Sequence, residues 1–173
     1  VPYGNTREDN NMTGTVDIRV RIEGDIKDPK TLSSMRTLQD SMEKDPKVIT
    51  SFSIANVVEQ MHRTVMDDDP QYETVPVERD KVNNLFTMYS MSGDPDDFST
   101  LIDYEYEVGL ITAFSKVMTT KEIFAYVNEM NNQVKAIMNP NLSVDFTGMI
   151  VILRDLVIMV VRSSALSIIF SLI

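Results

Sequence analysis

Val16-Asp17-Ile18-Arg19-Val20-Arg21-Ile22-Glu23-Gly24-Asp25-Ile26-Lys27-Asp28-Pro29 decides the fold. Its first eight residues alternate without a break: Val16, Ile18, Val20 and Ile22 point one way, and Asp17, Arg19, Arg21 and Glu23 the other. A period of two is the mark of a strand with one buried face, here from Thr15 to Gly24. The turn that follows ends on Asp28, whose carboxylate suits a helix N-cap. Pro29 then occupies the first helical position, where its missing N–H costs nothing. Leu32, Met35, Leu38 and Met42 continue as one helical stripe to about Lys44, and Asp45-Pro46 ends it.

The same two periods recur outward from this segment. Val48 to Phe52 is a short strand. Ser53 caps a helix carrying Ile54, Val57, Val58, Met61 and Val65, which runs to an acidic break at Asp67-Asp68-Asp69-Pro70. Val75-Pro76-Val77 is extended. Asp80 to Met91 is helical with Val82, Leu85, Phe86 and Tyr89 on one face, Ser92-Gly93-Asp94-Pro95 closes it, and Asp97 to Ile102 is expected to add one more helical turn. From Glu107 to Val117 a second strong strand places Val108, Leu110, Thr112 and Phe114 on one face and Ile111 and Ala113 on the other, so both faces are expected to be covered. Thr119 and Glu122 form a capping box ahead of a helix with Ile123, Val127, Met130, Val134 and Ile137, which stops at Asn139-Pro140. Leu142, Val144 and Phe146 alternate in a last strand, and Gly148 leads into a terminal helix.

Without the helices of residues 53–104, the order is strand, helix, strand, strand, helix, strand. That order predicts an α+β fold of the ferredoxin-like split βαβ (βαββαβ) type, with a helical insertion over about 53–104. Residues 1–13 read as a leading linker, 14–151 as the α+β domain, and 152–173 as a C-terminal helix.

That helix closes on Arg162-Ser163-Ser164-Ala165-Leu166-Ser167-Ile168-Ile169-Phe170-Ser171-Leu172-Ile173. A helix needs about 20 apolar residues to cross a bilayer core, so this stretch reads as the start of a membrane segment that does not span alone. An amphipathic core helix or an interfacial one is the alternative. The chain begins at Val1 and stops inside this apolar run, so both ends are expected to be cuts in a longer polypeptide.

Composition narrows the chemistry. Of 173 residues, 43% are hydrophobic, ample for a core. A formal charge of −10 argues against nucleic acid, whose phosphates are met by Lys and Arg. There is no Cys, hence no disulfide and no thiolate metal site. The single histidine, His62, lies off its helix's apolar stripe and reads as a solvated surface residue. Asp67-Asp68-Asp69 and Asp94-Pro95-Asp96-Asp97 lack the ligand spacing of a calcium loop and read as solvated caps. A metal-dependent hydrolase built on them would want for convergent ligands. The glycines stand singly, so there is no phosphate-binding loop or nucleophile elbow. No cofactor, metal site or catalytic residue is expected. Asn11-Met12-Thr13 and Asn141-Leu142-Ser143 match the glycosylation sequon, a tripeptide common by chance.

Four phrases together resemble one family: Ile22-Glu23-Gly24-Asp25-Ile26-Lys27-Asp28-Pro29; Ser53-Ile54-Ala55-Asn56-Val57-Val58; Tyr89-Ser90-Met91-Ser92-Gly93-Asp94-Pro95-Asp96-Asp97 with Leu101-Ile102-Asp103; and Val161-Arg162-Ser163-Ser164-Ala165-Leu166-Ser167-Ile168-Ile169. They are similar to the first extracytoplasmic loop, and the start of the second transmembrane helix, of RND-superfamily exporters of the MmpL-like and hopanoid-exporter-like branch. The resemblance implies a porter domain on the extracytoplasmic side of the plasma or inner membrane. Its implied partners are the remaining transmembrane helices and second porter domain of one transporter, and a hydrophobic or amphiphilic substrate such as a lipid; association with further copies is left open. The proton relay of that family lies in other segments, so none of its residues is carried over. Phe86, Met88, Tyr89, Met91 and Phe114 are the candidates for a substrate passage, because aromatic and Met side chains offer apolar area without fixed geometry. Ordinary core packing is the competing explanation for each. The competing function is a free-standing ferredoxin-like ligand-binding module with a C-terminal anchor or dimerisation helix.

Overall fold

Strand β1 (Thr15–Glu23) lies inside a four-stranded sheet, antiparallel to β3 (Val108–Lys116) on one side and to β4 (Ser143–Thr147) on the other. Strand β2 (Val48–Phe52) pairs antiparallel with the far side of β3, giving the order β2-β3-β1-β4. The structure, a computed structural model, describes residues 14–92 and 99–171. The expected leading linker and the sequon at Asn11 lie outside those residues, as do Asp94, Asp96 and Asp97.

Alternation sets the register. Ile18 sits opposite Ala113, Val20 opposite Ile111 and Ile22 opposite Gly109, and all six are fully buried or nearly so. A one-residue slip would turn this whole set to solvent. Helices α1 (Pro29–Met42) and α4 (Thr120–Ile137) cover that face. Leu32, Met35, Leu38 and Met42 from α1 meet Ile123, Tyr126, Val127 and Met130 from α4 in one core with the sheet. Full burial of each such aliphatic side chain is worth about 1.5–3 kcal/mol, and this layer supplies most of the driving force. The Asp28 carboxylate accepts from the Lys30 N–H at 2.9 Å, capping α1 as its sequence predicts. At the start of α4, Glu122 accepts from both the N–H and the hydroxyl of Thr119, each at 2.7 Å, and holds Lys47 at 2.5 Å.

The insertion comprises α2 (Ile54–Val65), a 3-10 turn at Pro70–Tyr72 and α3 (Arg79–Ser92). Its first helix is locked to α1 and β2 by a polar cluster that runs from the buried Gln39 to the exposed Glu43. Gln39 is fully buried; its amide nitrogen donates to Ser51 Oγ at 3.2 Å and Asn56 Oδ1 at 2.8 Å, and its Oε1 accepts from the Ser53 hydroxyl at 2.7 Å. Glu43 accepts from the backbone and the hydroxyl of Ser51, both at 2.7 Å. Arg36 adds an ion pair to Glu59 on α2 at 3.2 Å.

Two expectations are corrected. His62 is buried: its Nδ1 lies 2.8 Å from Thr74 O and its ring stands edge-on to Tyr72 at 5.5 Å, because the chain after α2 folds back over it. Asp67 and Asp68, at φ 58° each, supply that reversal, and Asp69 caps the 3-10 turn through the Gln71 N–H. Of the turn expected over Asp97 to Ile102, Asp97 and Phe98 lie outside the described residues; Ser99 to Leu101 form a turn, and there Leu101 accepts from the Leu110 N–H at 2.8 Å and Ile102 bridges to Gly109, so the chain runs on beside β3. Finally, only one face of β3 is covered. Phe114 is 42% exposed and Val108, Leu110 and Thr112 are half-buried, since both helices lie on the opposite face.

After β4, Gly148 adopts φ 91°, and a Cβ there would stand 3.0 Å from Asp17 O and 3.1 Å from Arg19 N. Helix α5 (Met149–Ser171) follows at once, buries Ile150, and rests Val151 and Leu153 on the core. From Ile158 to Ile168 every residue is exposed.

Replacing Gln39 by Leu leaves the Ser53 hydroxyl without its acceptor and Asn56 Oδ1 with the Ser53 N–H alone, and is expected to lower stability by about 1–3 kcal/mol in urea denaturation with an unchanged m-value. Lys47 and then the Thr119 donors hold the Glu122 carboxyl at about 2, down from 4.5. A depressed carboxylate contributes stability above its unfolded value that is lost as pH falls through the folded one. The stability difference between wild type and Glu122→Gln is therefore expected to be complete above pH 4.5 and to vanish near pH 2, as read from melting curves.

Candidate functional site

Two surfaces collect the residues with binding chemistry, and they meet at Glu23 and Val108. The first is at the end of the sheet where β1 leaves and β3 begins. Here the Gly24 N–H donates to Glu107 O at 2.8 Å and the Ile26 N–H to Tyr106 O at 3.1 Å, while Tyr106 takes φ 61°. Phe86 from α3 meets the Tyr106 ring edge-on at 5.2 Å. The Lys27 ammonium sits 3.4 Å from the Tyr106 ring centroid and 5.6 Å from that of Phe86. Burial lowers the pKa of Lys27, Arg79 lowers it further, and Asp25 works the other way. Arg79, at the start of α3, pairs with Asp25 at 2.6 Å. A cation over two aromatic faces and an ion pair thus fasten α3 to the β1–α1 turn. A cleft of about 670 Å³ opens beside them, lined by Glu23, Asp25, Lys27, Arg79, Glu105 and Glu107. A small cavity of about 60 Å³ lies between Phe86, Tyr89, Tyr104 and Tyr106.

The second surface is the uncovered face of the sheet. Phe52 stands opposite Thr112 and Thr50 opposite Phe114, which makes the two phenylalanines diagonal neighbours, each 42% exposed. Leu110 and Val108 extend this apolar strip along β3. Beside it, β1 presents Asp17, Arg19, Arg21 and Glu23, with Arg19 paired to Asp17 at 2.9 Å and Arg21 to Glu23. One half of the face is apolar and the other a self-neutralised row of charges.

The five passage candidates therefore do not form one wall. Phe86 is core, 4% exposed, and Tyr89 is half-buried at the small cavity. Met88 and Met91 are exposed on α3, the latter at 83%. Phe114 lies on the open sheet face. Tyr106, Lys27 and Phe52 were not singled out by sequence. Tyr106 and Lys27 meet across the insertion, and only a pairing map reveals it; Phe52 has the same phase in β2 as the buried Val48, and the register shift between Val48 and Thr50 turns it to the open face.

Among the described residues no group of three or more His, Asp or Glu side chains is placed to hold a metal ion. Among them, too, no helix is long and apolar enough to cross a membrane, since Arg154, Asp155 and Arg162 interrupt α5. No protein-family model matches the chain, and no curated protein matches it.

Core and surface roles are separable by truncation. Phe86→Ala is expected to cost about 3–5 kcal/mol of stability, whereas Met91→Ala should stay within about 0.5 kcal/mol; equal costs by chemical denaturation would contradict the placement of these side chains.

Proposed function

We propose that this chain is an extracytoplasmic porter domain of a proton-driven RND-type transporter that exports lipids or other hydrophobic or amphiphilic molecules. The strand order β2-β3-β1-β4, in which each helix carries the chain past a strand of the other half, supports a ferredoxin-like split βαβ arrangement for it. The domain's role is binding and passage, with no catalytic step.

Helix α5 carries this reading. It starts directly from β4, seats Ile150 in the core, and then presents Leu156, Ile158, Met159, Val160, Val161, Leu166 and Ile168 to its surroundings. A contiguous apolar surface of this kind is unfavourable in water and calls for cover. A helical backbone meets its own hydrogen-bonding needs, so lipid and neighbouring membrane helices suit it as cover. The apolar strip of Phe52, Phe114 and Leu110 offers a second surface, turned toward a companion porter domain and the substrate between them.

Reading the coding sequence on both sides of residues 1 and 173 tests the proposal. An apolar span before Val1, completion of the helix after Ile173 and further spans beyond are expected; a stop codon directly after residue 173 overturns it in favour of a free-standing module with an anchor or dimerisation helix. Deleting residues 163–173 is expected to abolish aggregation in detergent-free buffer. An unchanged light-scattering profile would count against membrane cover for α5.

A further inference from the structure

A cleft of about 540 Å³ lies between the end of α1 and the outer side of α4, within the size range of small-molecule sites. Lys44, Asp45 and Lys47 edge it from the α1–β2 turn and Glu122 and Glu129 from α4, a rim of mixed sign with Lys47 already held by Glu122. Its floor is different in kind: Met118, Tyr126 and Met130, all buried. Tyr126 is only 5% exposed, and its hydroxyl is the one buried side-chain polar atom without a hydrogen-bond partner among the described residues. Buried polar groups are nearly always satisfied, so a hydroxyl with no partner in the protein calls for an acceptor from outside the chain, water or ligand. The two neighbouring methionines are unbranched and pliable, the side chains best able to turn aside for an apolar guest.

We propose that this cleft binds an uncharged amphiphile whose carbonyl or ether oxygen accepts a hydrogen bond from the Tyr126 hydroxyl while its apolar chain lies on Met118 and Met130. An anionic head group does not fit the position, because the Asp45 carboxylate facing the Tyr126 hydroxyl would repel it, and an ammonium offers no acceptor for the hydroxyl proton. Burial, with the Asp45 carboxylate adding to it, raises the pKa of Tyr126, so the hydroxyl keeps its proton and can donate. The site is distinct from the cleft at Lys27 and from the open sheet face. It stands whether the domain is part of a transporter or a free binding module, so its test is independent of that reading.

The test uses the chain labelled with ¹³C-methyl methionine, titrated with 2-decanone, decane and decanoate. Saturable shifts of the Met118 and Met130 methyl signals with the ketone are expected, with decanoate at least tenfold weaker. Tyr126→Phe should bind the ketone at least tenfold more weakly and decane unchanged. This variant removes only an orphan oxygen, and its melting temperature should equal or exceed that of wild type. Ala125 is exposed on α4 and lines the cleft, so Ala125→Trp should block both ligands without disturbing the core. No saturable shift in the wild type, or equal ketone affinity in Tyr126→Phe, overturns the proposal and leaves the hydroxyl as an uncompensated desolvation cost.

Discussion

The pairing of β1 with β3 is the constraint on which the rest depends. It brings residues 87 to 95 positions apart into contact and sets Ile18, Val20 and Ile22 beside Ala113, Ile111 and Gly109 as the floor for both covering helices. Gly109 is part of that constraint. A Cβ at this position would come within 3.1 Å of Ile26 Cδ1 and 3.3 Å of Met35 Cε, so the smallest residue lets the β1–α1 turn and α1 settle on the sheet. A contact this distant in sequence carries a high loop-closure entropy, and the long insertion between its partners raises that cost only slowly with length.

Elements were legible wherever local physics is strong. Strict alternation in β1, the Asp28 and Ser53 caps, the Thr119–Glu122 box and the helical stripes each appear where they were expected, because those signals act over three or four residues. What failed was long-range. His62 is off the apolar stripe of α2, and nothing local announces that the Asp67–Asp69 reversal returns the chain to bury it. The β3 residues Val108, Leu110 and Phe114 are apolar enough to suggest cover on both faces, yet both helices lie on the other side of the sheet. A single sequence carries the polarity of a face but not the count of elements available to cover it.

Binding chemistry was harder still to see. Residue type alone does not separate the core Phe86 from the exposed Met91. The Lys27–Tyr106–Phe86 cluster depends on three segments meeting at one end of the sheet, and the Tyr126 hydroxyl matters because of what is missing around it. Absence of a partner leaves no trace in composition or spacing. The polar cluster around Gln39 shows the complementary case: a buried amide fully satisfied by three side chains, where polarity fixes the angle of α2 against α1.

Helix α5 is joined to the sheet by one residue, Gly148, packed against the backbone of Asp17 and Arg19, with no slack between strand and helix. From Ile150 to Ser171 it extends about 30 Å, at about 1.5 Å per residue. It is therefore a lever arm whose short end is clamped by the core and whose fulcrum presses on the central strand β1. A sideways push at its far tip would be delivered as torque on β1 and β4, the strands against which α5 packs.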